Sequence, residues 1–206
     1  MAEFDPTNAS LYINRELSQL EFCHRVLAMA RDPNLPLLER VRYLSITSGI
    51  LDEFFEIRVA GVKQHATFGA IQRNADELSA DELLKNIFAH TEILVAGLYA
   101  TLNDDLIPAL SKEKIRLLRS SDWKDDQRDW LKRYFSRQVA PIITPVGLDP
   151  AHPFPEPANK NLAFLVTLEG RDAFGRDSRR AVVQAPRSLP RIVELPANLS
   201  GGERCF

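Results

Sequence analysis

The chain has 206 residues, of which 45% are apolar and 26% charged, and its net charge at pH 7 is -2. That length holds one large or two small domains with real cores, and the balance is ordinary for a globular protein. A charge so near zero argues against a general nucleic-acid or membrane-surface binder, and no apolar run approaches the length of a membrane span.

Residues 1–10 read as a loose leader, followed by a short apolar anchor, Leu11-Tyr12-Ile13. Ser18-Gln19-Leu20-Glu21 has the form of a capping box and predicts a helix start at Ser18. Leu20, Cys23, Val26, Leu27 and Ala30 continue that helix to about Arg31, and Pro33 and Pro36 then break it. Pro36 is well placed to begin the next helix.

The stretch 37–63, LLERVRYLSITSGILDEFFEIRVAGVK, is the centre of the sequence. Leu37, Leu38, Val41 and Leu44 recur at helical spacing. After Thr47-Ser48-Gly49, residues Leu51, Phe54, Phe55, Arg58, Val59 and Val62 resume it. Gly49 frees the backbone and Thr47 or Ser48 is a candidate N-cap, so a kink or restart is expected there. Asp52 and Glu53 then fall in a first turn, where carboxylates suit the helix dipole. Pattern alone favours a core helix pair with a solvated acidic side over a binding site.

The pattern frays after Gly61, and residues 72–77 are polar. Ser79-Ala80-Asp81-Glu82 is another capping box. Leu84, Ile87, Thr91, Leu94, Leu98 and Leu102 mark a long helix to about Asn103, and Pro108 ends the helical unit. The region beyond is mixed. It has a short strand at 115–118, a helix over 122–138 and a proline-rich extended loop over 148–159. A strand over 162–168 is followed by an antiparallel partner over 181–184, with 192–195 a candidate third strand. The expected fold class is therefore α+β: an antiparallel three-helix bundle over 1–107, then a partial mixed α/β unit over 108–206.

The chain shows no complete catalytic apparatus of its own. It has no glycine-rich phosphate loop, no nucleophile elbow and no cluster of Cys and His at zinc spacing. His24, His65, His90 and His152 are scattered singly, and His152 is held among prolines. Arg171, Arg176, Arg179 and Arg180 interleave with Asp172 and Asp177, which reads first as a solvated hairpin tip and second as a polyanion contact. The start MAEFDPTNASLY lacks the regions of a signal peptide, and Cys23 and Cys205 make no disulfide framework, so a cytoplasmic location is expected.

Four blocks, in order, resemble bacterial polyphosphate kinase of the long-chain, phosphohistidine type. They are LYINRELSQLEF, LLERVRYLSITSGILDEFFEIRVAGVKQ, ITPVGLDPAHPFPEPANKNLAFLVTL and VVQAPRSLPRIVELP. The resemblance implies an enzyme that reversibly transfers the terminal phosphate of ATP to polyphosphate, through a phosphohistidine and with magnesium. It implies an N-terminal helical domain that covers the adenine end of the nucleotide, and a head domain that builds a homodimer. The nucleophilic histidine and most phosphate contacts belong, in the family, to two further domains. None of the four histidines here matches that nucleophile, so this chain alone is expected to be inactive. Ile50 stands at the family's adenine-contact position, usually asparagine, with Ser48, Gly49, Asp52 and Glu53 beside it. Gln19 stands where the family usually has tryptophan. The alternative is a catalytically inactive dimerising or interaction module left from a truncated or diverged paralogue. Neither reading calls for nucleic acid or membrane insertion.

Overall fold

In the computed structural model, residues 5, 8, 11–68, 78–148, 153–170 and 180–206 are described. They form two compact units, Met1–Glu113 and Lys114–Phe206.

The first unit is built on three helical rods. Helix α1 spans Arg15–Arg31 and α2 spans Leu37–Glu53. A π-helical stretch, Phe54–Val59, leads from α2 into α3, Ala60–Phe68. The third rod is α4, Ala80–Ala100, a second π-helical stretch, Thr101–Leu106, and α5, Ile107–Lys112. The Arg40 Nε near the start of α2 donates to the Ala30 carbonyl at the end of α1, 2.9 Å away, so these helices run antiparallel. Arg31 at the end of α1 bonds Gly97 and Thr101 at the end of α4, so the first and third rods point the same way. Leu20, Cys23, Leu27 and Ala30 from α1 meet Leu44, Leu51, Phe54 and Val59 from the second rod. Leu83, Ile87, Leu94, Leu98 and Leu106 from the third complete one apolar core.

Several expectations are corrected here. Helix α1 starts three residues before Ser18, because Asn14 caps it: its Oδ1 accepts from the Glu16 and Leu17 amides at 3.0 and 3.1 Å. The central helix runs straight through Gly49. Thr47 caps nothing; its buried hydroxyl donates back to the Tyr43 carbonyl, 2.9 Å away, and stays inside the helix. The irregularity lies one turn later, in the π-helical Phe54–Val59. Pro108 does not stop the third rod, since it falls at the start of α5, where its missing N–H and ring are tolerated. Leu83, not Leu84, is the fully buried leucine at the start of α4. Leu11, Tyr12 and Ile13 are exposed, so they are not a buried apolar anchor. Ser79 and Glu82 do form the expected capping box.

The third rod, Ala80–Lys112, is also long and apolar enough to cross a membrane by length and composition. Its leucine and isoleucine stripe is instead the buried face of the bundle, with Ile87, Leu94 and Leu106 wholly enclosed.

In the second unit, β1, Ile115–Arg116, pairs in parallel with the short β5, Arg204–Cys205. Helix α6 spans Asp125–Tyr134 and continues as a π-helical turn, Phe135–Val139; α7 is a single turn, Ala197–Ser200. Three strands form an antiparallel sheet in the order β2–β4–β3, with β2 Pro145–Gly147, β3 Ala163–Thr167 and β4 Arg180–Gln184. Leu165 lies opposite Val182, and Phe164 opposite Val183. The third strand is thus β2 and not 192–195. That segment lies between Pro190 and Pro196, and among the described residues its one backbone bond to a distant partner is Leu195 N–H to the Cys205 carbonyl, 2.8 Å. His152 and the arginines 171, 176 and 179 lie outside the described residues.

Candidate functional site

The first unit carries an open concavity of about 530 Å³ between α1 and the second rod. That volume falls within the range of small-molecule sites. One wall comes from Arg15, Glu16, Gln19 and Phe22, which recur along one side of α1. The other comes from Ile50, Glu53, Phe54, Ile57 and Arg58, which do the same across the end of α2 and the π-helical stretch. A π-helical turn widens the backbone and re-aims the residues that follow it, a feature common at functional sites.

The walls differ in chemistry. The second rod offers apolar surface from Ile50 and Ile57, over the buried Phe54, and the exposed carboxylate of Glu53. Helix α1 offers hydrogen-bonding groups. Glu16 has a side chain only 5% exposed, and its Oε1 accepts from Arg15 Nε at 2.8 Å. Its Oε2 is shut off from solvent and finds no hydrogen-bond partner among the described residues. Gln19, one turn along, is half-buried. Arg58 adds a positive charge on the opposite wall.

Of the residues singled out from sequence, Ile50 lines this concavity. Ser48 and Asp52 are exposed, Gly49 is half-buried, and none of the three is on the lining. Gln19 and Ile50, both singled out from the sequence, line the same concavity from opposite elements. Glu16 was missed because a helix started at Ser18 leaves it outside. With the start moved to Arg15, the recurrence at 15, 16, 19 and 22 becomes visible as one helix face.

The histidines stand apart from this site. His24 is half-buried, His65 exposed, and His90 Nδ1 lies 3.6 Å from Glu21 Oε1. No group of three or more His, Cys, Asp or Glu among the described residues could hold a metal ion, so magnesium chemistry is not assigned to them. The second unit has its own apolar recess, of about 300 Å³, bounded by Phe135, Ile143, Leu162, Phe164 and Val183 among others. Its lining includes Tyr134 and Arg191 but no carboxylate, histidine or cysteine among the described residues, so it offers no acid–base pair.

Comparison with known proteins places these elements. The polyphosphate kinase N-terminal domain model matches residues 12–118, and the polyphosphate kinase middle domain model matches residues 126–206. The chain is 52% identical over 194 residues to a polyphosphate kinase of Pseudomonas putida, covering 94% of this chain and 27% of that protein. It is 50% identical over the same length to one of Pseudomonas aeruginosa, covering 94% of this chain and 28% of the relative. The crystal structure of polyphosphate kinase from Porphyromonas gingivalis superposes with a TM-score of 0.70 at 27% identity, over 94% of this chain and 28% of that one. The chain thus spans little more than a quarter of the length of the relatives it matches.

Proposed function

The chain belongs to the polyphosphate kinase family, and from that premise we propose that it is the nucleotide-covering and dimer-building part of an ATP:polyphosphate phosphotransferase. The observation that carries this reading is the concavity beside Ile50, where apolar side chains (Phe22, Ile50, Ile57) and hydrogen-bonding ones (Arg15, Glu16, Gln19, Glu53, Arg58) line one space. A purine is a flat apolar body with a polar edge, and this mixed lining suits the two parts. Ile50 and Ile57 supply packing surface for the ring face, and α1 supplies partners for the edge.

Phosphoryl transfer relies on positioning and charge stabilisation, and a histidine nucleophile splits one transfer into two easier ones. The residues described here would act at the base end alone. They hold the base, exclude water from it and so orient the phosphates toward groups carried elsewhere in a full-length enzyme. Magnesium, when bound, would offset phosphate charge, and polyphosphate would be the second substrate. Alone, the chain would bind nucleotide without turning it over, in a cytoplasmic setting and without nucleic acid or membrane insertion. A homodimer through the second unit is supported by β3, an edge strand whose Phe164 and Leu165 are 51% and 64% exposed.

The test is titration of the 206-residue chain with ATP, followed by amide NMR, up to about 1 mM, the upper end of ordinary substrate constants. Saturable shifts are expected along α1 and α2. Ile50→Glu should weaken binding by about tenfold or more, since it puts a charge against the ring face. Asp52→Asn, off the lining, should leave binding unchanged. Self-association with no saturable shift would instead favour the inactive interaction module.

A further inference from the structure

We propose that Glu16 is the residue that reads the edge of the base, accepting a hydrogen bond from its exocyclic amino group. The proposal rests on the nucleotide reading of the same concavity and adds to it a determinant of specificity.

The argument begins with an unmet valence. A buried carboxylate is costly unless its oxygens find donors. Glu16 Oε1 has one, the Arg15 Nε at 2.8 Å, while Oε2 has none among the described residues and no access to solvent. Such groups are rare in native proteins and mark a place where another donor is expected. Glu16 is on the lining of the concavity, so a donor that enters there meets this oxygen once the carboxylate turns it outward from its enclosed position. The terminal torsion of a glutamate is soft, so the carboxylate turns its free oxygen toward an incoming group at little cost.

The surroundings narrow the donor's identity. The opposite wall presents Ile50 and the exposed Ile57, which suit the face of a flat ring, together with the charged Glu53 and Arg58. Because Arg15 occupies one carboxylate oxygen, a single oxygen is left, which takes one amino group. Gln19 lies three residues on, on the same side of α1, and its amide makes no side-chain hydrogen bond among the described residues. A carboxylate acceptor beside an amide donor complements an amino group beside a ring nitrogen, which is the edge of a 6-aminopurine. Where Ile50 gives up an amide on one wall, Gln19 presents one on the other.

The experiment compares ATP with purine riboside triphosphate, which lacks only the 6-amino group, on the unaltered chain and on Glu16→Gln and Gln19→Leu. On the unaltered chain ATP should bind about tenfold to a hundredfold more tightly, the range for a hydrogen bond to a charged group. Glu16→Gln should reduce that ratio to a few-fold. Gln19→Leu should weaken both ligands together and keep much of the ratio. Equal affinity of the unaltered chain for the two ligands overturns the proposal without any variant, and so does a ratio that survives Glu16→Gln. If neither triphosphate binds the unaltered chain, the nucleotide reading itself falls and takes this one with it.

Discussion

Gly97 shows how a single position in this bundle is dictated from outside its own helix. A Cβ placed there would lie 2.6 Å from Arg31 Nη2, the far end of a side chain that crosses from α1. That guanidinium donates to the Gly97 carbonyl at 2.9 Å and, through Nε, to Thr101 Oγ1 at 2.8 Å. The glycine forgoes about 1 kcal/mol of helix propensity, and the bonds it admits offset this. Gly97→Ala should therefore be nearly neutral or mildly destabilising in the native background, and stabilising by about 1 kcal/mol in an Arg31→Ala background. Urea unfolding of the double-mutant cycle reads the coupling; simple additivity would mean that Arg31 does not hold Gly97 in place. Arg40 follows the same logic as a buried cation, since it bonds the Ala30 carbonyl and pairs with Asp105. Its worth comes from those two partners, which belong to the other two rods.

Among elements, the second rod is the one that positions the site, and its irregular segment matters more than its glycine. Ile50 lies in the last turn of α2, and Phe54, Ile57 and Arg58 are carried by the π-helical turn that follows. The third rod shows the reverse case, where local chemistry settles the start. The Ser79 amide donates to Glu82 Oε2 at 3.1 Å and the Glu82 amide to Ser79 Oγ at 3.3 Å. The Ser79 hydroxyl, followed by its amide, holds the Glu82 carboxyl below its ordinary range. A carboxylate lowered on folding contributes stability that is complete above its unfolded value and is lost as pH falls through the folded value. The first turn of α4 should accordingly fray only at acid pH. An NMR titration should find the Glu82 midpoint below that of an ordinary glutamate, and Ser79→Ala should return it toward the ordinary value. Identical midpoints in the two proteins would remove the cap as the cause. Such a cap is readable from four consecutive residues, whereas the start of α1 was misread because Ser18 mimics one while Asn14 makes it.

Each of the two compact units carries one buried free thiol, Cys23 in the first and Cys205 in the second. Burial pushes the Cys23 thiol up from its ordinary value, which further slows its reaction. The units are unequal in core. The first encloses the leucine-rich cluster of three rods, while the buried apolar residues described in the second are Ala181, Val182, Leu195 and Cys205. Since stability follows apolar burial, Cys205 should become reactive at lower urea concentration than Cys23. Thiol labelling across a urea series, with mass spectrometry to separate the two sites, gives the order; simultaneous labelling would show a single cooperative transition instead.

The sequence by itself determined what neighbouring residues decide among themselves. The apolar stripes at helical spacing, the Ser79 cap, the pairing of β3 with β4 and the four blocks that mark the family are all carried within short windows. What only the tertiary structure decided is which faces meet. It set residues 15–22 against 50–58 to open a concavity, buried Glu16 with one oxygen unmatched, and gave β2 the place in the sheet that 192–195 had been expected to take. The reason is physical: periodicity and caps depend on contacts within a turn or two. The burial of a charge, or the edge on which a strand adds, depends on partners tens of residues away that no local pattern names.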